Sequence, residues 1–184
     1  MTPERQNIEV KARYPELNRA REVCAHIGAS LQGVLNQIDT YFHVESGRLK
    51  LRQINNDRAE LIEYTRSNHA TARSSRYKLT PLTVEALQTV LQDFSRSHGV
   101  RVVVKKRREL WMWENVRIHL DEVEGLGTFI EFEGVVGPDA DEVASKHRVD
   151  RLVGEFGIRD EDQIGESYSD LLEQAAGLPR NTNR

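Results

Sequence analysis

Four short segments of this chain carry charged side chains at alternate positions. Asn7, Glu9, Lys11 and Arg13 alternate with Ile8, Val10 and Ala12; Arg48, Lys50 and Arg52 alternate with Leu49 and Leu51. Arg117, His119 and Asp121 flank Ile118 and Leu120, and Glu131 and Glu133 flank Phe132. On a strand, side chains two apart share a face at a spacing of about 7 Å. Arginine and lysine at that spacing offer forks and point charges to successive phosphoryl groups. Carboxylates among them would repel a polyanion unless a hard cation, Mg²⁺ or Mn²⁺, stood between, and Glu131 with Glu133 can converge on one ion. The combined pattern points to a metal-bound oligophosphate. For any single strand, an amphipathic sheet with its charges in water is the commoner account of the alternation. His119 shares the charged face, but a lone histidine is more often structural, and it is left outside the candidate site.

The elements that must position these groups follow from periodicity. Residues 7–13 alternate as a strand, Pro15 breaks it, and Leu17, Ala20, Val23, Cys24 and Ile27 recur at helical spacing. Alternating runs continue over 30–66, punctuated by Glu45-Ser46-Gly47 and Asn55-Asn56-Asp57, both suited to hairpin turns. Ser67 to Ser75 is polar and patternless and is expected to be a mobile loop, with a short strand near Arg76 to Leu79. Val84, Leu87, Val90, Leu91 and Phe94 predict a helix over 83–97, with Thr83 as its N-cap. Strands are expected over 100–108, 110–113, 116–123 and 128–135, then helices over 140–156 and 168–176. So many strands do not stay open comfortably, and the apolar helix stripes must cover the apolar sheet face. The fold expected is therefore α+β, a closed antiparallel β-barrel with helices packed outside and its charged face turned inward. Such an interior must be wet, internally paired or filled by a ligand, because an unpaired buried ion costs several kcal/mol.

The bulk properties narrow the partners. At 184 residues the chain suits one domain, taken as 1–178 with 179–184 as a disordered tail. A net charge of −3 provides no general field for nucleic acid, and the basic run Lys105-Lys106-Arg107-Arg108 reads as a solvated strand end. No apolar stretch reaches the roughly 20 residues of a spanning helix, and the single cysteine, Cys24, reads as core packing in a reducing compartment. A soluble, cytoplasmic protein without membrane or nucleic-acid partners is expected, with a homodimer left open. No GxxxxGK[ST], HExxH, CxxC or GxSxG motif occurs, so the phosphate site is not a P-loop.

At these same residues the sequence resembles the CYTH superfamily, the triphosphate tunnel metalloenzymes. The resemblance runs from Asn7-Ile-Glu-Val-Lys11 through Gln37 to Phe42, Gly47 to Arg52, Leu61 to Arg66 and Val116 to Glu133, and ends in Ser167 to Leu172. It implies an eight-stranded tunnel whose charged lumen binds a triphosphate and divalent ions. It further implies that Glu9, Asp121, Glu131 and Glu133 ligate metal and that Lys11, Lys50, Arg52 and Arg117 bind phosphate, with Arg66 and Lys106 as further phosphate binders. Glu9, Lys11, Arg117, Glu131 and Glu133 would then form the catalytic set. The family signature Glu-x-Glu-x-Lys reads Asn7-x-Glu9-x-Lys11 here, which replaces one carboxylate by a neutral oxygen. The wording of the motifs is most similar to the class IV adenylate cyclase group, which implies conversion of ATP to cyclic AMP and pyrophosphate. Hydrolysis of tripolyphosphate, thiamine triphosphate or nucleotides is the alternative, and a non-catalytic triphosphate-binding module is a third reading.

Overall fold

The computed structural model describes residues 5–66 and 73–177. Eight strands and four helices follow in the order β1 (Arg5–Arg13), α1 (Leu17–His26), β2 (Ser30–Phe42), β3 (Arg48–Ile54), β4 (Arg58–Arg66), β5 (Arg73–Leu82), α2 (Val84–His98), β6 (Val100–Trp113), β7 (Val116–Val123), β8 (Gly127–Val136), α3 (Glu142–Glu155) and α4 (Tyr168–Ala175), with a short 3-10 turn over Asp160–Asp162. The strands close into one antiparallel barrel in the order β1-β5-β4-β3-β2-β6-β7-β8, with β8 returning to pair with β1. Closure leaves no free edge, so every strand has a partner on both sides.

Local chemistry sets the corners. The β3–β4 hairpin turns on Asn55 and Asn56, whose φ values of 49° and 62° fall where asparagine is better tolerated than most residues. Thr83 caps α2 by accepting from the Ala86 N–H at 3.3 Å, and Asp141 caps α3 by accepting from Ala144 at 2.8 Å. Gly134 of β8 lies so close to α3 that a Cβ there would sit 3.1 Å from the Ser145 carbonyl oxygen and the Val149 side chain.

The apolar faces of the strands are buried outward. Ile8, Val10, Ile118, Leu120 and Phe132 pack against α1 and α3, whereas Phe42, Leu49 and Leu51 pack beneath α2. Cys24 is fully buried in the first of these layers, and burial pushes its thiol up to about 12. The fourth helix differs from the other three. Its first residues enter one end of the barrel, where Tyr168 and Leu171 meet Tyr41, Val104, Val123 and Phe129. Among the described residues, no helix is long and apolar enough to cross a membrane.

Two expectations need correction. The patternless segment Ser67 to Ser75 does not remain a loop throughout, because β5 already begins at Arg73. Ser74 and Ser75 pair with Ile8 and Asn7 of β1, so pairing across the sheet overrides weak local preference. Residues 67–72 and the tail 179–184 lie outside the described residues. The break expected at Glu109 is also absent, and β6 runs unbroken from Val100 to Trp113. Glu109 points outward, where Arg21 of α1 binds its carboxylate at 2.7 Å, so a charge at a covered position mimicked a strand end.

Candidate active site

With apolar side chains directed outward, alternation sends the other face of every strand into the barrel. The lumen encloses about 370 Å³, bounded by all eight strands and by Ser167 and Tyr168 from the α4 end. Basic side chains outnumber carboxylates in its lining, eight to five, so the interior suits an anion. The α4 end is plugged. Ser167 caps α4 together with Asp170, Arg48 and Arg101 both bind Asp170, and Arg101 also binds Glu173 at 2.7 Å. The Tyr168 hydroxyl donates to Asp121 at 2.7 Å, and the Lys11 and Lys106 ammonium groups lie 4.2 and 5.8 Å from its ring centroid.

One wall, made by β3, β2 and β6, is basic. Its organiser is Asp39, 1% exposed, which accepts from Arg52 Nε at 2.7 Å, Arg52 Nη2 at 2.9 Å, Lys106 at 2.8 Å and Lys50 at 3.1 Å. Burial alone would raise the Asp39 carboxyl, but Arg52, Lys106 and Lys50 outweigh it and hold the group well below the usual range. Burial pushes Lys106 down to about 7, with Asp39 opposing and Arg52, Arg108 and Lys50 reinforcing the shift. Three basic side chains therefore converge on one carboxylate, and each retains donors that a phosphate could use.

The facing wall, made by β7, β8 and β1, carries carboxylates. Glu133 stands opposite Glu9 on β1 and Arg117 on β7, and Glu131 stands opposite Lys11 and His119. Glu131 is bound by Lys11 at 3.0 Å and Arg108 at 2.8 Å, and Glu133 by Arg117 at 3.2 Å. Burial would raise Glu131, yet Lys11, the His119 hydrogen bond and Arg108 hold it well below its usual value. Burial would likewise raise Glu133, and His119 is the main influence lowering it instead. His119, Glu131 and Glu133 each present a ligand atom, and these atoms lie within 4.8 Å of one another. Asn7 lies two residues from Glu9 on the same face of β1, and its buried Oδ1 has no hydrogen-bond partner. Two carboxylates and an imidazole, brought together by β7 and β8, form a donor set that fits a divalent cation.

The CYTH domain profile matches residues 5–168. The chain belongs to the CYTH family. Among solved structures, this CYTH domain is similar to the PH1012 protein of Pyrococcus horikoshii OT3, at 26% identity and a TM-score of 0.77 over 90% of this chain and 98% of that one. It also shares its fold with a protein of Vibrio parahaemolyticus described as a candidate adenylate cyclase, at 22% identity and a TM-score of 0.73 over 91% and 97% of the two chains. A third similar fold is a candidate adenylyl cyclase of Hippeastrum described as having a dominant triphosphatase activity, at 15% identity and a TM-score of 0.63 over 95% and 98%. Comparison with curated protein sequences returns no match.

Within this CYTH barrel, Glu9, Lys11, Lys50, Arg52, Lys106, Arg117, Glu131 and Glu133 all line the lumen. Asp121 is placed differently. It faces inward at the plugged end, fully buried, accepting from Arg108 at 2.7 and 2.6 Å and from Tyr168. Arg66 ends β4, and its side chain lies outside the described residues. Arg13 is exposed, 5.3 Å from the Phe129 ring centroid, and Arg48 serves the plug rather than the lumen.

Sequence reasoning missed Asp39, Arg108 and Tyr168 and set His119 aside. The basic run 105–108 is not a solvated strand end throughout: Lys105 and Arg107 are exposed, whereas Lys106 and Arg108 are buried in the barrel. In a run charged on both faces, alternation carries no signal for which face is inside. Gln37, Asp39 and Tyr41 share a face of β2, and Tyr41 makes its contrast with the opposite face weak.

Proposed function

We propose that this CYTH domain binds a triphosphate together with a divalent cation, Mg²⁺ or Mn²⁺, in its lumen and breaks a phosphoryl bond there. The observation that carries this reading is the opposition of the two walls: Lys50, Arg52 and Lys106 gathered on Asp39, facing the His119, Glu131 and Glu133 cluster across one cavity. In the leading reaction the 3′-oxygen of ATP bonds to the α-phosphorus, the bond from that phosphorus to the bridging oxygen of the β-phosphate breaks, pyrophosphate leaves with the electron pair, and the hydroxyl proton passes to solvent water. Lys50, Arg52, Lys106 and Arg108 hold the charge that grows on the departing pyrophosphate. Lys11 and Arg117, beside Glu131 and Glu133, orient the reacting end. Glu9, Glu131 and Glu133, with His119 and the Asn7 oxygen, would hold the cation, and Asp121 would support them through Arg108. When bound, the cation would polarise the phosphoryl oxygens and lower the pKa of the attacking oxygen.

Hydrolysis is the second reading. The same cradle serves water as the nucleophile, and the similar Hippeastrum fold is described as a dominant triphosphatase. Incubation of the protein with ATP or tripolyphosphate in Mg²⁺ or Mn²⁺, with product identification, separates the two. Cyclic AMP with pyrophosphate supports cyclisation, orthophosphate supports hydrolysis, and no turnover of either compound would defeat both.

A further inference from the structure

Among the described residues, four buried side-chain atoms have no hydrogen-bond partner: Asn7 Oδ1, Gln37 Oε1, the Tyr77 hydroxyl and Trp111 Nε1. Three of them belong to side chains that line the lumen, those of Asn7, Gln37 and Tyr77. A buried hydrogen bond left unmade is costly, so these atoms call for a partner that the folded chain does not supply. The three differ in what that partner can be. Asn7 Oδ1 and Gln37 Oε1 are acceptors, as the oxygens of a polyphosphate are, whereas a phenol has a proton to donate. Tyr77 is therefore the one whose need a phosphoryl oxygen meets.

On β5, Tyr77 stands opposite Arg5 of β1 and Tyr64 of β4. The hydroxyls of Tyr14, Tyr41 and Tyr168 are engaged, with the Phe156 carbonyl at 3.2 Å, Lys50 at 3.4 Å and Asp121 at 2.7 Å. Tyr77 instead reaches toward Arg117 of β7. Burial would lower the Arg117 guanidinium, but Glu133 and Tyr77 outweigh it, so the phenol is a close neighbour although the two complete no hydrogen bond. A guanidinium has no lone pair to offer, so Arg117 cannot take the phenol proton. Glu133 takes one guanidinium nitrogen, Nη1, at 3.2 Å. Two donors side by side, the phenol with no acceptor of its own, suit a ligand whose oxygens only accept.

We propose that Tyr77 is a further substrate-contacting residue, its hydroxyl donating to a phosphoryl oxygen that Arg117 also holds. This rests on the triphosphate reading above and applies to cyclisation and hydrolysis alike, because the contact is to phosphate and not to the nucleophile. Being uncharged, the phenol adds a directed donor without adding to the positive charge of the lumen. Calorimetric titration, in Mg²⁺, of a triphosphate with both bridging oxygens replaced by methylene groups measures binding without turnover. Tyr77→Phe is expected to weaken this binding about tenfold. The free variant should melt at or above the wild-type temperature, since no bond within the chain is lost. Groups that hold one oxygen are energetically coupled, so Tyr77→Phe made on top of Arg117→Met should weaken binding by about twofold or less. Equal affinity in wild type and Tyr77→Phe, or the same tenfold loss on both backgrounds, would overturn the proposal while leaving the triphosphate tunnel standing. A free Tyr77→Phe protein that melts below wild type would overturn it as well, by showing that the hydroxyl already has a partner in the chain. Failure of the wild type to bind the analogue would overturn the tunnel reading itself.

Discussion

Replacing Asp39 by asparagine removes one charge of nearly unchanged shape from the centre of the basic wall. In the wild-type barrel its carboxylate is 1% exposed and bonded to Lys50, Arg52 and Lys106 at 2.7 to 3.1 Å. At an effective dielectric of 20 each such contact is worth about 5–6 kcal/mol in gross Coulomb terms, most of it offset by the desolvation of the partners. Removing one partner of a buried ion pair costs about 3–5 kcal/mol, because the opposite charges stay buried and unpaired. Lys106, already down near 7, can relieve part of the strain by losing its proton, while Arg52 cannot. The expected destabilisation of about 3–5 kcal/mol corresponds to a melting temperature lower by about 6–20 °C for a chain of this size. A triphosphate would replace the missing charge, so the rise in melting temperature on adding ATP should be larger for Asp39→Asn than for wild type. Differential scanning calorimetry with and without ATP measures both quantities. A variant as stable as wild type, or one stabilised less by ATP, would refute the claim that Asp39 stands where phosphate competes for these three basic side chains.

Three further outcomes are expected. Glu131→Gln or Glu133→Gln should lower metal affinity or turnover at least about tenfold while the fold persists; Mn²⁺ titration against activity checks this, and wild-type metal dependence in both variants would remove them from the site. Asn7→Glu should tighten binding of Mg²⁺ or Mn²⁺, because it adds ligand charge where an orphaned oxygen now points; calorimetry with a non-hydrolysable triphosphate reads it, and unchanged affinity would place residue 7 outside the metal shell. Lys106 is neutral in the free protein above about pH 7 and regains its proton beside a polyanion, so triphosphate binding at pH 8 should take up close to one proton and weaken as pH rises; titration in buffers of different ionisation enthalpy measures the uptake, which Lys106→Met should abolish.

The architecture and much of the lumen were legible because alternation on β1, β3, β7 and β8 separates charge from aliphatic side chains cleanly, and closure decides which face is inside. The same logic failed where both faces are charged, as over Lys105 to Arg108, or where a covered outward position is charged, as at Glu109. Ser74 and Ser75 carry no alternation because pairing with β1, not their own side chains, makes them strand. His119 could not be distinguished from a structural histidine until β7 and β8 were in register, which brings its ring to Glu131 at 3.4 Å. The plug was unreadable for a related reason: Tyr168 begins an ordinary amphipathic helix, and only the tertiary fold turns its ring beneath Lys11 and its hydroxyl onto Asp121.

The central claim is that a triphosphate lies against the basic wall inside the barrel, and Arg52 tests it most directly, because it belongs to that wall and is only partly buried. Calorimetric titration of ATP into wild type and Arg52→Ala, at matched salt because surface charge effects are screened, should show saturable one-to-one binding in the wild type. Loss of a charge-assisted contact of about 1.5–3 kcal/mol should weaken it at least tenfold in the variant. Equal affinity in the two proteins would mean that ATP binds outside this lumen or that the wall is a structural ion network with no ligand of its own.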